Sequence, residues 1–375
     1  MTQEGWPHAV TAAQAAGLLA PPFAALVLLL VLLRVVYKPP NASFHLDKHA
    51  NYGSLSDFSE TESDADDIIY AGEVAGDYSA PWATTFDLAF VAGMAVGAVI
   101  LSITTSVVQP RLFTDSGFWL SQLVKIMCML VVSTLGGVVC RFFCIVDDYG
   151  YVMTTRNSVF KVNYTRKLQH FAAYLIPLLR PIVRATAAPT LEMAWAYYCT
   201  LACFLLLIKP LRERSRLCML QFNALDRPED RPHTLKWLIA GNLVPGFGLV
   251  TLFSAVFENV SFLLLIVLIV CIGDGLAEPV GIAFGRHKYL TSSCLSQRRY
   301  TRSFEGSAVV FLSTLSLPAI MYTSFASPAQ VFATMALLPP VVTYAEAKSP
   351  HTVDTPILIA VAGTLLHVLT ELLEV

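Results

Sequence analysis

The chain has 375 residues, of which 55% are hydrophobic and only 14% charged. A soluble globular protein carries roughly 25% charged residues, so the composition excludes a soluble enzyme and indicates a polytopic membrane protein. The formal net charge of −2 gives no reason to expect a nucleic-acid partner, and it hides a strong segregation of the two signs along the chain.

Hydrophobic segments lie near 16–36, 86–108, 118–146, 168–183, 191–208, 235–256, 258–280, 306–324, 328–345 and 355–373. They predict an all-α membrane protein with about ten transmembrane segments. The first segment is too long for a signal-peptide core and is followed by Arg34 and Lys38, so residues 1–39 read as an uncleaved signal anchor. Residues 40–81 place Asp57, Glu60, Glu62, Asp64, Asp66, Asp67, Glu73 and Asp77 among Ser, Gly and Asn. That composition predicts a disordered acidic linker. Residues 82–155 supply two transmembrane helices. The segment at 168–183 is short, carries Pro177 and Pro181, and reads as re-entrant. Of the eight cysteines, Cys140/Cys144 and Cys199/Cys203 have helical spacing. No His or acid nearby completes a zinc set, so they read as packing residues.

Basic residues fall in three loops. Arg156, Lys161, Arg166 and Lys167 lie in 147–167; Lys209, Arg212, Arg214, Arg216, Arg227, Arg231 and Lys236 lie in 209–236; Arg286, Lys288, Arg298, Arg299 and Arg302 lie in 286–305. Two spans separate each pair, so all three share one side, which the positive-inside rule makes cytoplasmic. The acidic linker falls on the same side, and the sequons at Asn41 and Asn163 would be unused there.

The run Val260 to Ile272 is too short to cross a bilayer alone and spans only if it continues through Asp274 and Glu278. Acids at membrane depth are costly and mark functional sites by default. A continuous helix puts the two on one face, with Gly281 and Gly285 prolonging the stripe. Pro279 predicts a kink or break, with Pro279 opening a second helix whose free N–H groups suit phosphate. Carboxylates with phosphate oxygens suit Mg²⁺. An ion pair with a buried Arg or Lys is the other reading of the same acids.

Further polar elements converge on this face. Arg166-Lys167-Leu168-Gln169-His170 opens the fourth segment, residues 227–233 precede the sixth, and Glu346-Ala347-Lys348-Ser349-Pro350-His351 leads to Asp354 between the last two. Basic side chains after Gly285 suit a polyphosphate. Soluble nucleotide-binding signatures, a Walker A loop or a dinucleotide glycine turn, are absent.

Taken together, these motifs resemble the CTP-dependent polyprenol kinase family of integral membrane enzymes, which includes dolichol kinase, phytol kinase and a CTP-using diacylglycerol kinase. The resemblance rests on Arg166-Lys167-Leu168-Gln169-His170, on Gly273-Asp274-Gly275-Leu276-Ala277-Glu278-Pro279-Val280-Gly281, on Phe284-Gly285-Arg286, on Ser303-Phe304-Glu305-Gly306-Ser307 and on Glu346 to Pro350 with Asp354. It covers roughly residues 160–375. Ala283 stands where the phytol-type pattern usually has Arg, and Thr355 follows Asp354 where Asn is common. The His-Gly-Gly signature of the related CDP-diacylglycerol synthases is missing. The resemblance implies a catalytic domain at 156–375 that transfers a phosphoryl group from CTP to an isoprenoid alcohol. It implies Mg²⁺ on Asp274 and Glu278, Glu278 serving alternatively as proton acceptor. Gly273, Gly275, Arg286, Lys288, Arg302, Glu305 and Gly306 would hold the nucleotide. Arg166, Lys167, His170, Glu346, Lys348 and Asp354 would assist. The alternatives are a diacylglycerol kinase or cytidylyltransferase, a transporter, and a scaffold without catalysis.

Overall fold

The computed structural model of the protein describes residues 84–156, 160–179, 189–227, 230–257, 259–292, 299–351 and 353–373. The expected signal anchor (1–39) and acidic linker (40–81), and with them Pro181 and Arg298, lie outside the described residues.

Helix α1 (Thr85–Val108) opens with a reciprocal cap, in which Thr84 and Asp87 each bond the other's backbone N–H. Asp87 also accepts from the Lys209 backbone at 3.3 Å, fixing α1 to a later loop. Helix α2 (Ser116–Phe143) follows, capped by Asp115. A short hairpin, β1 (Cys144–Val146) with β2 (Val152–Thr155), leads to α3 (Val162–Leu175). Then come α4 (Pro189–Phe204), the short helices α5 (Lys209–Arg212) and α6 (Arg216–Asn223), and the long α7 (Thr234–Val256) and α8 (Val260–Phe284). A second hairpin, β3 (Lys288–Ser292) with β4 (Arg299–Ser303), precedes α9 (Phe304–Ile320), α10 (Pro328–Lys348) and α11 (Asp354–Leu372).

Six helical stretches among the described residues are long and apolar enough to cross a membrane: α1, α2, α4 with its extension to Leu207, α7, α8 and α11. Three further expected segments take other forms. Helix α9 is apolar but shorter, and α10 carries Pro339 and Pro340 inside it. Helix α3 is amphipathic in an inverted sense, because Asn163, Arg166, Gln169 and His170 are on its buried side. Backbone and side-chain polar groups away from water must find partners inside the protein. Accordingly Gln169 donates to the Gln221 carbonyl at 3.3 Å and Gln221 to Thr134 at 2.9 Å, tying α3, α6 and α2 together.

The expected break at Pro279 is displaced. Helix α8 runs through Pro279 to Phe284, and its irregularity comes earlier, where the backbone widens into π turns over Ile269–Asp274. A π bulge adds a residue to a turn and re-aims the side chains beyond it without ending the helix. Helix α7 carries a second π stretch, Trp237–Leu243.

Close helix packing depends on bare backbone at one position of α2. A Cβ on Gly137 would collide with the Leu220 backbone carbonyl of α6, while a Cβ on Gly248 would meet nothing within 4 Å. Gly137→Ala should therefore lower the thermal midpoint of the detergent-solubilised protein, by the equivalent of about 1–3 kcal/mol. Gly248→Ala should be neutral or stabilising, since alanine improves a helix interior by about 0.5–1 kcal/mol. Equal midpoints for the two variants would contradict this packing.

Candidate functional site

Helix α8 carries Asp274 and Glu278 one turn apart, and α3 crosses it with Lys167 pointing between them. The ammonium lies 3.4 Å from Asp274 Oδ2 and 3.3 Å from Glu278 Oε2. Side-chain exposures of 12%, 3% and 13% for Lys167, Asp274 and Glu278 place this pairing away from bulk water. The ion pair left open by the sequence is thus present in this state of the protein.

Glu278 has more partners than Lys167. Its Oε1 accepts from Asn163 Nδ2 at 2.7 Å and from Arg227 Nη1 at 3.2 Å. Arg227 is held in turn by both oxygens of Asp230, through Nε at 2.8 Å and Nη2 at 3.2 Å. Asp230 also receives Arg166 Nη1, which donates besides to the Leu225 carbonyl at 3.3 Å. Burial raises the Asp230 carboxyl, but the charges of Arg166 and Arg227 outweigh it and hold the group below the usual carboxylate range. The result is a chain of alternating charge: Arg166, Asp230, Arg227, Glu278, Lys167, Asp274.

A second limb reaches the same place from the β3–β4 hairpin. Its antiparallel register sets Tyr289 opposite Arg302, so the two share a face, and that face turns inward. Arg302 Nη1 lies 2.9 Å from Glu346 Oε1, and Nη2 donates to the Glu346 and Ser349 carbonyls at 3.2 and 2.8 Å. Burial pulls the guanidinium pKa down, but Glu346, Asp354, Asp274 and Glu278 together hold it above its ordinary value. Arg302 also bonds His351 Nδ1 at 3.0 Å. A guanidinium only donates, so His351 accepts and its ring is neutral. Burial first, then the charge of Arg302, keep the His351 pKa well below the ordinary imidazole value.

Asp354, in the first turn of α11, is 3% exposed. Its Oδ1 accepts from the Thr355 backbone at 2.8 Å, and no ion pair joins it to a cation among the described residues. It lies near enough to Asp274 for the two carboxylates to repel. Thr355 bonds Asn242 at 2.8 Å, so the π stretch of α7 lines this corner. Glu346 Oε2 and His170 Nε2 are buried with no hydrogen-bond partner.

The remaining sequence-derived candidates build the scaffold and rim. Gly273 and Gly275 are buried, and their bare faces meet Ser313 and Phe171. Gly306 packs against the Ala277 carbonyl, where a Cβ would come within 2.8 Å. Ser303 caps α9 by accepting from Gly306 N at 3.1 Å. Glu305 turns back to accept from the Arg286 and His287 backbones, each at 3.2 Å, and from the His287 ring at 2.6 Å. Arg286 and Lys288 are exposed at the hairpin base, and Lys348 reaches Ser292 at 3.0 Å.

Four cations (Arg166, Lys167, Arg227, Arg302) therefore face five carboxylates (Asp230, Asp274, Glu278, Glu346, Asp354) in one buried cluster. The carboxylates outnumber the cations by one, and Asp354 has no ion-pair partner among the described residues. Among the described residues no group of three or more His, Cys, Asp or Glu is arranged to bind a metal by itself, so oxygens from a ligand would have to complete the shell. Asn163 and the Arg227–Asp230 pair are the components with no assigned role in the sequence. Asn163 looks like a sequon, and the only trace of the pair is its i,i+3 spacing in a loop expected on this face.

No protein-family model, no curated protein and no solved structure matches the chain.

The neutral His351 gives a pH signature. Its folded pKa lies below the unfolded value of about 6.5, so the unfolded chain binds the extra proton. Its contribution to stability is complete above that pH, and as pH falls it is lost at about 1.4 kcal/mol per unit until the folded pKa is reached. The thermal midpoint should drop less between pH 7 and 5.5 in His351→Gln than in the wild type. Equal drops would contradict a buried neutral ring.

Proposed function

We propose that the protein is a membrane lipid kinase that moves a phosphoryl group from CTP to the hydroxyl of an isoprenoid alcohol such as a phytol-, farnesol- or dolichol-like lipid. The observation that carries the reading is the acid-rich buried cluster, with Asp354 unpaired beside Asp274 and with Lys167 and Arg302 within it. Phosphoryl transfer asks mainly for positioning and charge neutralisation, and carboxylates beside basic groups at the mouth of an apolar helix set supply both. CTP as the donor rests on the family resemblance. By the positive-inside rule the loops carrying Lys and Arg would put the mouth on the cytoplasmic side, in an endoplasmic reticulum, plastid or bacterial inner membrane. The finer picture of ten spans, including a signal anchor at 1–39, belongs to the same reading.

In this reaction the alcohol oxygen bonds the γ-phosphorus, the bond from that phosphorus to the β–γ bridging oxygen breaks, and CDP leaves. A divalent cation would neutralise the developing charge. Asp274 and Asp354 would hold it, together with nucleotide oxygens. Arg302 would exchange Glu346 for phosphate, while Arg286 and Lys288 would guide the nucleotide from the rim. The proton of the alcohol would pass to Asp354 or to solvent at the mouth. The apolar faces of the spans would hold the lipid tail.

A second reading has an observation of its own. Helices α7 and α8 both carry π stretches, and Asn242 and Asp274 project from them. A pair of irregular membrane helices with polar side chains at the irregularity is a milder form of the broken helices that line transporter sites. The two readings part in one experiment with purified protein. Asp274→Asn should abolish transfer, a fall of at least about 100-fold, with expression retained. Transfer that survives this substitution would sink the kinase assignment, and nucleotide-independent flux of a solute into liposomes would establish the transporter.

A further inference from the structure

The phosphotransfer reading leaves open what Glu278 does. A metal ligand or a proton acceptor needs an oxygen to spare. Glu278 has both oxygens engaged, with Asn163 and Arg227 on Oε1 and Lys167 on Oε2. Three donors, two of them cationic, stabilise its anion and lower its value as a base. Asp274, by contrast, has among the described residues Lys167 alone as its cation, at 3.4 Å.

The partners of Glu278 are themselves anchored. Asp230 grips Arg227 through two nitrogens and is fixed from behind by Arg166. Arg227 therefore has little freedom to swing, and neither has the carboxylate it holds. Lys167 differs: its ammonium ends a flexible stem and is shared between two acids. With a divalent cation on Asp274, like-charge repulsion would turn the Lys167 ammonium away from that carboxylate. Glu278 keeps the ammonium in the pocket, because a buried ammonium stripped of its carboxylates costs several kcal/mol. Held by Glu278, the displaced ammonium would be free to meet phosphate oxygens brought in with the cation.

We infer that Glu278 is a positioning residue: with Arg227, Asp230 and Asn163 behind it, it holds Lys167 where the ammonium meets the nucleotide's phosphoryl oxygens once a cation has taken Asp274. The inference rests on the phosphotransfer reading and adds to it a phosphate-contacting residue, Lys167, and the chain that aims it.

The test compares full-length wild type with Glu278→Gln, Arg227→Met, Arg227→Lys and the double variant Glu278→Gln/Arg227→Met, all in detergent. The measurements are kcat, KM for CTP, half-saturation by Mg²⁺, and thermal stabilisation by Mn²⁺ with CTP. Glu278→Gln should lower kcat on the order of 100-fold while Mg²⁺ half-saturation moves less than about threefold, against the tenfold or more expected of a lost metal ligand. Arg227→Met should fall similarly, and Arg227→Lys should recover a large part of the loss. The double variant should be no worse than Glu278→Gln, because both changes act through Lys167.

A tenfold or greater rise in Mg²⁺ half-saturation in Glu278→Gln would make Glu278 a metal ligand and overturn the inference. So would an unchanged kcat, or losses that multiply in the double variant. If Arg227→Met does not fold, Glu278→Gln and Arg227→Lys, which preserve size, decide the matter by the same kcat and Mg²⁺ criteria. A wild type that transfers nothing and is not stabilised by Mn²⁺ with CTP would instead overturn the phosphotransfer reading, and the inference with it.

Discussion

The arrangement depends on one buried ammonium. Lys167 lies between Asp274 and Glu278, in surroundings where an unpaired charge is costly. Removing one partner of a buried pair typically costs about 3–5 kcal/mol, because the other charge is left without compensation. The same constraint then passes outward. Glu278 requires Arg227 and Asn163, Arg227 requires Asp230, and Asp230 requires Arg166. Helix α3, the loop after α6 and helix α8 are thereby fixed to one another by charge as well as by apolar packing. A second limb, Arg302 with Glu346 and His351, closes the cluster from the hairpin side. The two limbs leave Asp354 without an ion-pair partner among the described residues where they meet.

Much of this was legible in the sequence, and the reasons it was or was not are physical. Two acids ending an apolar run had to be buried if the run was to span, and they are. Of the basic loops expected on one side, two supply cations to the same acid, Lys167 and Arg227 to Glu278, while the third supplies Arg302 to Glu346. The partners of those acids were harder to read. Asn163 carries no charge and lies on a helix whose buried side is polar, a pattern that hydropathy alone reads as surface. The Arg227–Asp230 pair has the spacing of an ordinary surface contact, and only tertiary packing shows that it is dry. Pro279 misled in the other direction: proline disfavours a helix interior, but the π turns ahead of it rearranged the backbone within a helix that goes on. The glycines of the core motif also read differently in three dimensions. Gly273, Gly275 and Gly306 allow Ser313, Phe171 and the Ala277 carbonyl to approach, so they bring helices together around the acids.

These features divide the site into a fixed part and an exchangeable part. Asp230, Arg227, Asn163 and Glu278 satisfy one another and have no need of a ligand. Asp274, Asp354, Glu346 and the two cations facing them are incompletely satisfied, with Glu346 Oε2 lacking a partner. A ligand that brings a hard cation and several anionic oxygens would complete every one of these groups at once. A metal-bound nucleoside triphosphate has that chemistry, which is why the proposed reaction takes one as its donor.

The most direct measurement is phosphoryl transfer by the purified full-length protein. It would be supplied with CTP or ATP labelled at the γ-phosphate, with Mg²⁺, and with phytol, farnesol, dolichol or diacylglycerol as acceptor. The account predicts label in the lipid phase with CTP and at least one isoprenoid alcohol, and its loss when the divalent cation is chelated. Absence of labelled lipid with every acceptor, in a protein that remains folded in the assay, would contradict it.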